Sequence, residues 1–237
     1  MNKRHKTTCV LALLAITSLP TLAKDIEIKV AGTITPSGCT PMLSGSGAAD
    51  YGTIKSDSLT LDVYTALDSK FLDLSITCDA PVKLALEAKN GRPDTLAGAD
   101  EDAISGAALS PTASASGVLS TATAVVGLGV SGSAHIGGYA LKAVAFKTDG
   151  IGAQLITREG DSGEWKEYTG GKEGNNFYSI GVKRQLSWKN GSIKEPVAFK
   201  TATMSLMVQA YINKAAELDL TKSVVLNGLS TIELIYL

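Results

Sequence analysis

The chain has 237 residues, with 22 Lys and Arg side chains against 23 Asp and Glu and a formal net charge of −1. This balance argues against nucleic acid as a partner, because nucleic-acid-binding domains carry an excess of positive charge. The 24 glycines and the aromatic content of 5% favour strands and turns over helices.

Residues 1–23 are typical of a secretory signal peptide. They have a basic start, an apolar run over residues 9–19 and a small-x-small cleavage site that ends at Ala23. The run is shorter than the ~20 apolar residues of a membrane span, and no later stretch reaches that length. We therefore expect an exported product that begins at Lys24 and carries 19 basic and 23 acidic side chains, a net charge of −4.

Removal of the signal peptide leaves two cysteines, Cys39 and Cys78, and one histidine, His135. An exported chain with two cysteines is expected to pair them. The bridge would close a ring of about 39 residues and contribute roughly 4 kcal/mol in the chain-entropy model. Two unpaired buried thiols are the alternative.

The first predicted strand follows the cleavage site, because apolar residues and a glycine occupy alternate positions there. The alternating set is Ile26, Ile28, Val30, Gly32 and Ile34. Pro36, Gly38 and Pro41 then predict a turn-rich link that ends any ladder.

Clean alternation predicts further strands over residues 72–78 and 82–88, with Cys78 on the inward face. Asn90-Gly91 and Asn190-Gly191 are both typical of a tight hairpin turn. Residues 96–138 are rich in Gly, Ala and Ser and predict a long insertion with weak strands such as 122–130. Strands over 137–147, 153–156 and 204–212 bring the total to roughly eight to eleven, which indicates a sandwich or barrel.

The last predicted strand covers residues 230–237. Ile232, Leu234 and Tyr236 share one face, and the residues between them share the other. An apolar strand at the end of the chain is an exposed edge unless another segment pairs with it. It either accepts a strand from a partner, or lies beside the first strand in a closed sheet.

The candidate chemistry is weak throughout. His135 has no nucleophile pattern near it, and one histidine with a disulfide cannot supply a zinc site. Asp100, Glu101 and Asp102 are too few for a calcium loop and predict a solvated loop. Trp165 and Trp188 are expected to be half-buried aromatics, with a sugar-stacking platform as the alternative. We therefore predict no catalytic residues, metal site or cofactor, and a protein that is not an enzyme.

Residues 30–39, Val-Ala-Gly-Thr-Ile-Thr-Pro-Ser-Gly-Cys, closely resemble the amino-terminal donor segment of fimbrial (pilus) subunits of the Gram-negative chaperone-usher class. In that family an alternating apolar extension carries a glycine shortly before the first cysteine, here Gly32 and Cys39. The second cysteine of the family matches Cys78, and the penultimate aromatic of its last strand matches Tyr236.

The resemblance implies an all-β fold, an immunoglobulin-like (pilin-type) incomplete β-sandwich over residues 36–237, preceded by an N-terminal donor strand at residues 24–35. An apolar groove would lie open beside the final strand. The implied partners are a periplasmic chaperone, an outer-membrane usher and neighbouring copies or related fimbrial subunits, with a host-surface receptor as a further candidate. The implied function is a structural subunit of a cell-surface (extracellular) fimbria, exported through the periplasm and polymerised by donor-strand complementation.

Two other classes stay open at this point. One is an exported carbohydrate-binding or adhesive module, which would be a stable monomer made without a chaperone. The other is a small outer-membrane β-barrel, although Glu233 beside Ile235 and Leu237 argues against a lipid-facing band.

Overall fold

The structure is a computed structural model and describes residues 38–168 and 174–237. The predicted signal peptide (residues 1–23) and the predicted donor segment (residues 24–35) lie outside the described residues. The donor set Ile26, Ile28, Val30, Gly32 and Ile34 therefore stays a prediction, as does the domain boundary at residue 36.

Within the described residues the chain forms fifteen β-strands and three short 3-10 helices. The strands are β1 (Cys39–Leu43), β2 (Thr65–Ala66), β3 (Lys70–Val82), β4 (Leu84–Asn90), β5 (Ala108–Leu109), β6 (Ala124–Gly127), β7 (Val130–Ser131), β8 (Ala134–His135), β9 (Gly137–Thr148), β10 (Ile151–Gly152), β11 (Gln154–Glu159), β12 (Lys166–Glu167), β13 (Arg184–Lys189), β14 (Phe199–Ile212) and β15 (Ser230–Tyr236). The 3-10 helices are Ser44–Gly47, Ser56–Ser58 and Ala215–Glu217. The chain is all-β, as predicted.

Two antiparallel sheets carry the fold. The first has the strand order β1-β3-β14-β9-β6-β5, with β2 on β14 and β10 on β9. The second has the order β12-β11-β13-β4-β15, and β7 and β8 form a separate pair. The apolar faces of the two sheets enclose one main core, which makes the molecule a β-sandwich.

One nearly continuous extended segment joins the two sheets. Strand β3 pairs with β1 and β14 in the first sheet, and after Lys83 the chain continues as β4, which pairs with β13 and β15 in the second. The predicted alternation is confirmed on β3, where the buried residues are Leu72, Leu74, Ile76 and Cys78. The alternating apolar residues of β3 and β4 therefore face the same core, one set from each sheet.

Two hairpin predictions are wrong, because the strands before and after each Asn-Gly pair do not pair with each other. Asn90-Gly91 ends β4, but the neighbours of β4 are β13 and β15, and the Gly91 N–H donates to the Leu229 carbonyl oxygen at 2.8 Å. Gly191 does turn with a φ of 68°, yet the next strand, β14, lies in the other sheet. The Asn-Gly pair therefore predicts the turn at Gly191, but it does not predict which sheet the next strand joins.

The Gly/Ala/Ser-rich insertion packs against the outer face of the first sheet. It forms a second, smaller core there, whose buried members are Leu96, Ala108, Leu119, Val125, Ala140 and Tyr211. The predicted weak strand over 122–130 corresponds to β6, which pairs with β9. The insertion is therefore a layer of the fold.

Gln209 on β14 holds the insertion at its centre. Its Oε1 accepts hydrogen bonds from the Ser114 hydroxyl at 2.8 Å and from the Ser116 hydroxyl and the Leu119 N–H at 3.2 Å. Its Nε2 donates to the Leu67 carbonyl oxygen at 2.8 Å. A single side-chain amide thus bonds to the insertion and to the segment that follows β2.

Replacement of Gln209 by Ala should loosen the insertion. The variant removes all four hydrogen bonds of Gln209, although the Leu119 N–H keeps the Ser114 Oγ at 3.1 Å, so we expect the free energy of unfolding to fall by about 1 to 3 kcal/mol. Limited proteolysis should cut faster within residues 110–123. The control is Thr203→Ala, at an exposed position of the same strand. Equal cleavage of both variants would show that other contacts hold the insertion.

Candidate functional site

Strand β15 is the last strand of the second sheet. It pairs with β4 over its whole length, from Ser230 opposite Asn90 to Tyr236 opposite Leu84. Along its other edge no strand is found among residues 38–168 and 174–237. Of the predicted edge residues, Ile232 and Leu234 are half-buried, and Tyr236 is 52% exposed.

A deep apolar groove lies between this edge and β1. Its volume is about 1300 Å³. The floor comes from β3, β9 and β14, through residues that include Leu72, Leu74, Leu141, Leu206 and Val208. One wall carries Pro41 and Leu43 of β1, and the other carries Ile232 and Leu234 of β15. Within residues 38–168 and 174–237, the interior of the sandwich is therefore open along this side.

Tyr51 fixes the wall that follows β1. Its hydroxyl donates to the Val208 carbonyl oxygen at 3.1 Å and accepts from the Ala210 N–H at 3.1 Å. Burial raises the pKa of Tyr51 to about 12. The segment over residues 47–54, which lines the groove, is thus bonded to the backbone of its floor.

A cluster of three hydroxyls anchors the start of β15. The Ser230 Oγ lies 2.6 Å from the Tyr139 Oη and 2.7 Å from the Tyr178 Oη. Burial raises the pKa of Tyr139 to about 12, and it also raises the pKa of Tyr178. Both rings are buried, so this cluster ties the first residue of β15 to the core.

The end of β15 is anchored to β1. The Cys39 N–H donates to the Tyr236 Oη at 3.0 Å, and Cys39 stands opposite Cys78 in the β1–β3 ladder. The predicted disulfide between these cysteines is confirmed. The two walls of the groove therefore meet at this end.

A row of polar side chains crosses the outer face of the second sheet and ends on β15. Glu87 of β4 stands opposite Glu233 of β15. Lys89 Nζ lies 2.6 Å from Glu233 Oε1, Lys183 Nζ lies 3.8 Å from Glu87 Oε1, and Gln185 Nε2 donates to Glu87 Oε2 at 3.1 Å. The two lysines offset the repulsion between the facing glutamates. The last charge in this row is Glu233, beside the unpaired edge.

The acidic cluster has a structural role that the sequence did not reveal. The carboxylate of Glu101 accepts hydrogen bonds from the N–H groups of Asp94 and Leu96 at 2.9 Å and from the side-chain amide of Asn90 at 3.1 Å. Asp102 accepts from the Ile104 and Ser105 N–H groups. Both carboxylates lie in a loop and are partly exposed, and their backbone donors hold that loop in shape.

The remaining candidates do not converge on a reactive site. His135 Nδ1 lies 2.8 Å from the Leu96 carbonyl oxygen, so its ring contacts the backbone of the insertion. Trp188 is 1% exposed and packs edge-on against Phe199, so the prediction that it is half-buried is wrong and it cannot join Trp165 in a sugar platform. The described ranges hold no group of three or more His, Cys, Asp or Glu that could bind a metal. They also hold no helix with the length and hydrophobicity to cross a membrane.

Comparison with known proteins places the similarity over the whole chain. The family described as "Protein of unknown function (DUF1120)" matches residues 28–140. Protein GltF of Escherichia coli (strain K12) is 25% identical over 255 aligned positions that cover 99% of each chain. Uncharacterized protein YhcF of the same organism is 30% identical over 121 positions, half of each chain. The stretch matched by the family includes both bridged cysteines, and the alignment with GltF extends over both ends of the chain.

Alkaline pH should weaken the fold through its buried tyrosines. The pKa of Tyr139 is about 12 in the folded protein and near 10 when unfolded, so its contribution is fully present below pH 10 and is lost as the pH rises through 12. We expect Tyr139→Phe to flatten the fall in the free energy of unfolding between pH 10 and 12 by about 2 to 3 kcal/mol. Urea unfolding across this range measures the slope. The exposed control Thr203→Ala should keep the wild-type slope; an unchanged slope in Tyr139→Phe would contradict the assignment.

Proposed function

We propose that this chain is a structural subunit of a surface fimbria that polymerises by donor-strand complementation. The observation that carries the proposal is the open apolar groove beside β15, whose outer edge has no strand among the described residues. A strand added at such an edge gains main-chain hydrogen bonds, and its alternate side chains fill the groove. We also propose that the β-sandwich is an immunoglobulin-like sandwich of pilin type that lacks one strand.

The proposed occupant is the donor segment of a neighbouring copy or of a related subunit. Its four large apolar residues, Ile26, Ile28, Val30 and Ile34, would be buried against the groove. Burial of each contributes ~1.5 to 3 kcal/mol, which gives roughly 6 to 12 kcal/mol as an upper limit. This is a gross figure before the cost of ordering the arm, and the main-chain hydrogen bonds to β15 add to it.

The same surface accounts for export and assembly in this proposal. A periplasmic chaperone would cover the edge of β15 first, since an exposed apolar edge strand promotes aggregation. An outer-membrane usher would then pass the subunit to the growing fibre. Contact through two different surfaces, arm and groove, does not close on itself, so copies add head to tail into a filament.

Deletion of residues 24–35 tests the proposal directly. The chain and its deletion variant are produced in the periplasm with the signal peptide kept. We expect polymers from the full chain and a chaperone-bound monomer from the variant, distinguished by size-exclusion chromatography and electron microscopy. Polymers that persist after the deletion would refute donor-strand assembly.

A matched pair of substitutions on β15 separates the groove from the fold. Leu234 faces the groove, whereas Thr231 lies on the opposite face of the same strand and is exposed. Leu234→Lys should reduce polymer yield at least tenfold, because it places a charge in the apolar groove. Thr231→Lys should polymerise normally. Equal yields from the two variants would show that the groove is not the assembly surface.

A further inference from the structure

The polar row described above ends at Glu233, whose side chain is 44% exposed beside the unpaired edge of β15. We propose that Glu233 sets the register of the incoming arm by pairing with Lys29 of a second copy, in an arm that runs antiparallel to β15. The inference deepens the proposed function and rests on it. It adds which of several possible registers the arm adopts.

The pattern of the arm limits the registers to steps of two residues. Its apolar residues occupy even positions from 26 to 34, so a shift by one residue would turn all of them to the outer face. The outward positions are then the odd ones, Asp25, Glu27, Lys29, Ala31 and Thr33. Since Glu233 also faces outward, one of these residues stands opposite it.

Charge selects among these registers. Lys29 is the only cation in the outward set, whereas Asp25 and Glu27 would place a second carboxylate against Glu233. An opposite-charge pair across two strands favours its register about two- to fivefold over a neutral pair, and a like-charge pair is unfavourable. The apolar face provides most of the affinity, and the Lys29–Glu233 pair makes one register the most populated.

The direction of the arm follows from the rest of the fold. Every ladder between the named strands is antiparallel, and antiparallel pairing is slightly more stable per residue than parallel pairing. In this orientation Ile28 stands opposite Leu234, and Gly32 stands opposite Ser230. The Tyr139 ring lines the groove beside Ser230, so a residue without a side chain fits there.

Direction also identifies the source of the arm. An antiparallel arm places Ile34 beyond Ser230, about 27 Å along the strand axis from Tyr236. Cys39 of the same chain lies beside Tyr236, and the five residues from Ile34 to Cys39 reach at most about 17 Å. The same chain could supply the arm only in the parallel orientation, so the antiparallel register assigns it to a second copy.

Disulfide trapping measures the register while Lys29 and Glu233 are both unchanged. The antiparallel register puts Ala31 opposite Thr231, and opposite positions are close enough for a disulfide. Chains carrying Ala31→Cys are mixed with chains carrying Thr231→Cys, and linked dimers are quantified by non-reducing electrophoresis and mass spectrometry. Thr33→Cys with Thr231→Cys reports a shift by two residues, and Ala31→Cys with Ile235→Cys reports a parallel arm. We expect the first pair to exceed each of the others several-fold.

Charge reversal is the second part of the experiment. Lys29→Glu in the Ala31→Cys chain should lower the yield with Thr231→Cys about two- to fivefold, and Glu233→Lys in the partner chain should restore it. If neither charge reversal changes the yield of the linked dimer, the ion pair does not set the register. The same conclusion follows if the shifted pair is the most efficient one.

Two outcomes separate this inference from the proposed function. If the arm links to another copy in a shifted or parallel register while deletion of residues 24–35 still abolishes polymers, the inference fails and the proposed function stands. If chains that carry both Ala31→Cys and Ile235→Cys link internally as monomers, and the deletion leaves assembly intact, both fail.

Discussion

The fold depends on one constraint: an apolar interior must be covered on every side, and the described part of this sandwich leaves one strand position uncovered. The inward residues of β3, β9 and β14 continue past the edge of the second sheet, where they become the floor of the groove. Leu72 and Leu206 are already buried there, while Ile232 and Leu234 remain half-buried. In the described residues, the floor of the groove is therefore buried, whereas the wall formed by β15 still exposes apolar surface.

An edge strand with one neighbour would normally fray, yet β15 is fixed at three points. Ser230 bonds to two buried tyrosines at its start, and Tyr236 accepts the Cys39 N–H at its end. Between them, Glu233 pairs with Lys89 of β4. An exposed ion pair adds little to stability because water screens it, so the hydroxyl cluster and the ladder with β4 supply most of the order. A preformed edge lowers the entropy lost when another strand binds.

The sequence predicted the parts of the fold that repeat and failed where distant segments meet. Alternation located β3, β14 and β15, and the count of cysteines gave the disulfide. The hairpin predictions failed because the strands before and after each turn do not pair with each other: β4 pairs with β13 and β15, and β13 and β14 lie in different sheets. No local signal marks such a change of partner. The insertion was predicted to be a long excursion with weak strands, and its packing against the first sheet was not foreseen. It is bonded to Gln209, which lies some ninety residues beyond Leu119 along the chain.

The groove itself was expected only through the resemblance to a family, because composition does not show which edge of a sheet lacks a neighbour. The two hydroxyls that meet Ser230 were also invisible, as Tyr139 and Tyr178 lie far from it in sequence. Glu101 shows the same limitation, since its donors are backbone N–H groups that carry no sequence signature. Polar residues whose partners are main-chain groups, or side chains far away in sequence, are therefore the hardest to interpret.

The two faces of β15 separate affinity from specificity. The inward face is apolar from Ile232 to Tyr236, so over these residues it accepts any arm with the right alternation. The outward face carries a single charge, Glu233, at the end of a row that the fold already balances through Lys89 and Lys183. Because this charge lies at the rim and keeps contact with water, it would change the binding free energy little, but it would add to the discrimination between registers two residues apart. The proposed filament needs that discrimination, since a shift at any joint would alter the spacing of every subunit beyond it.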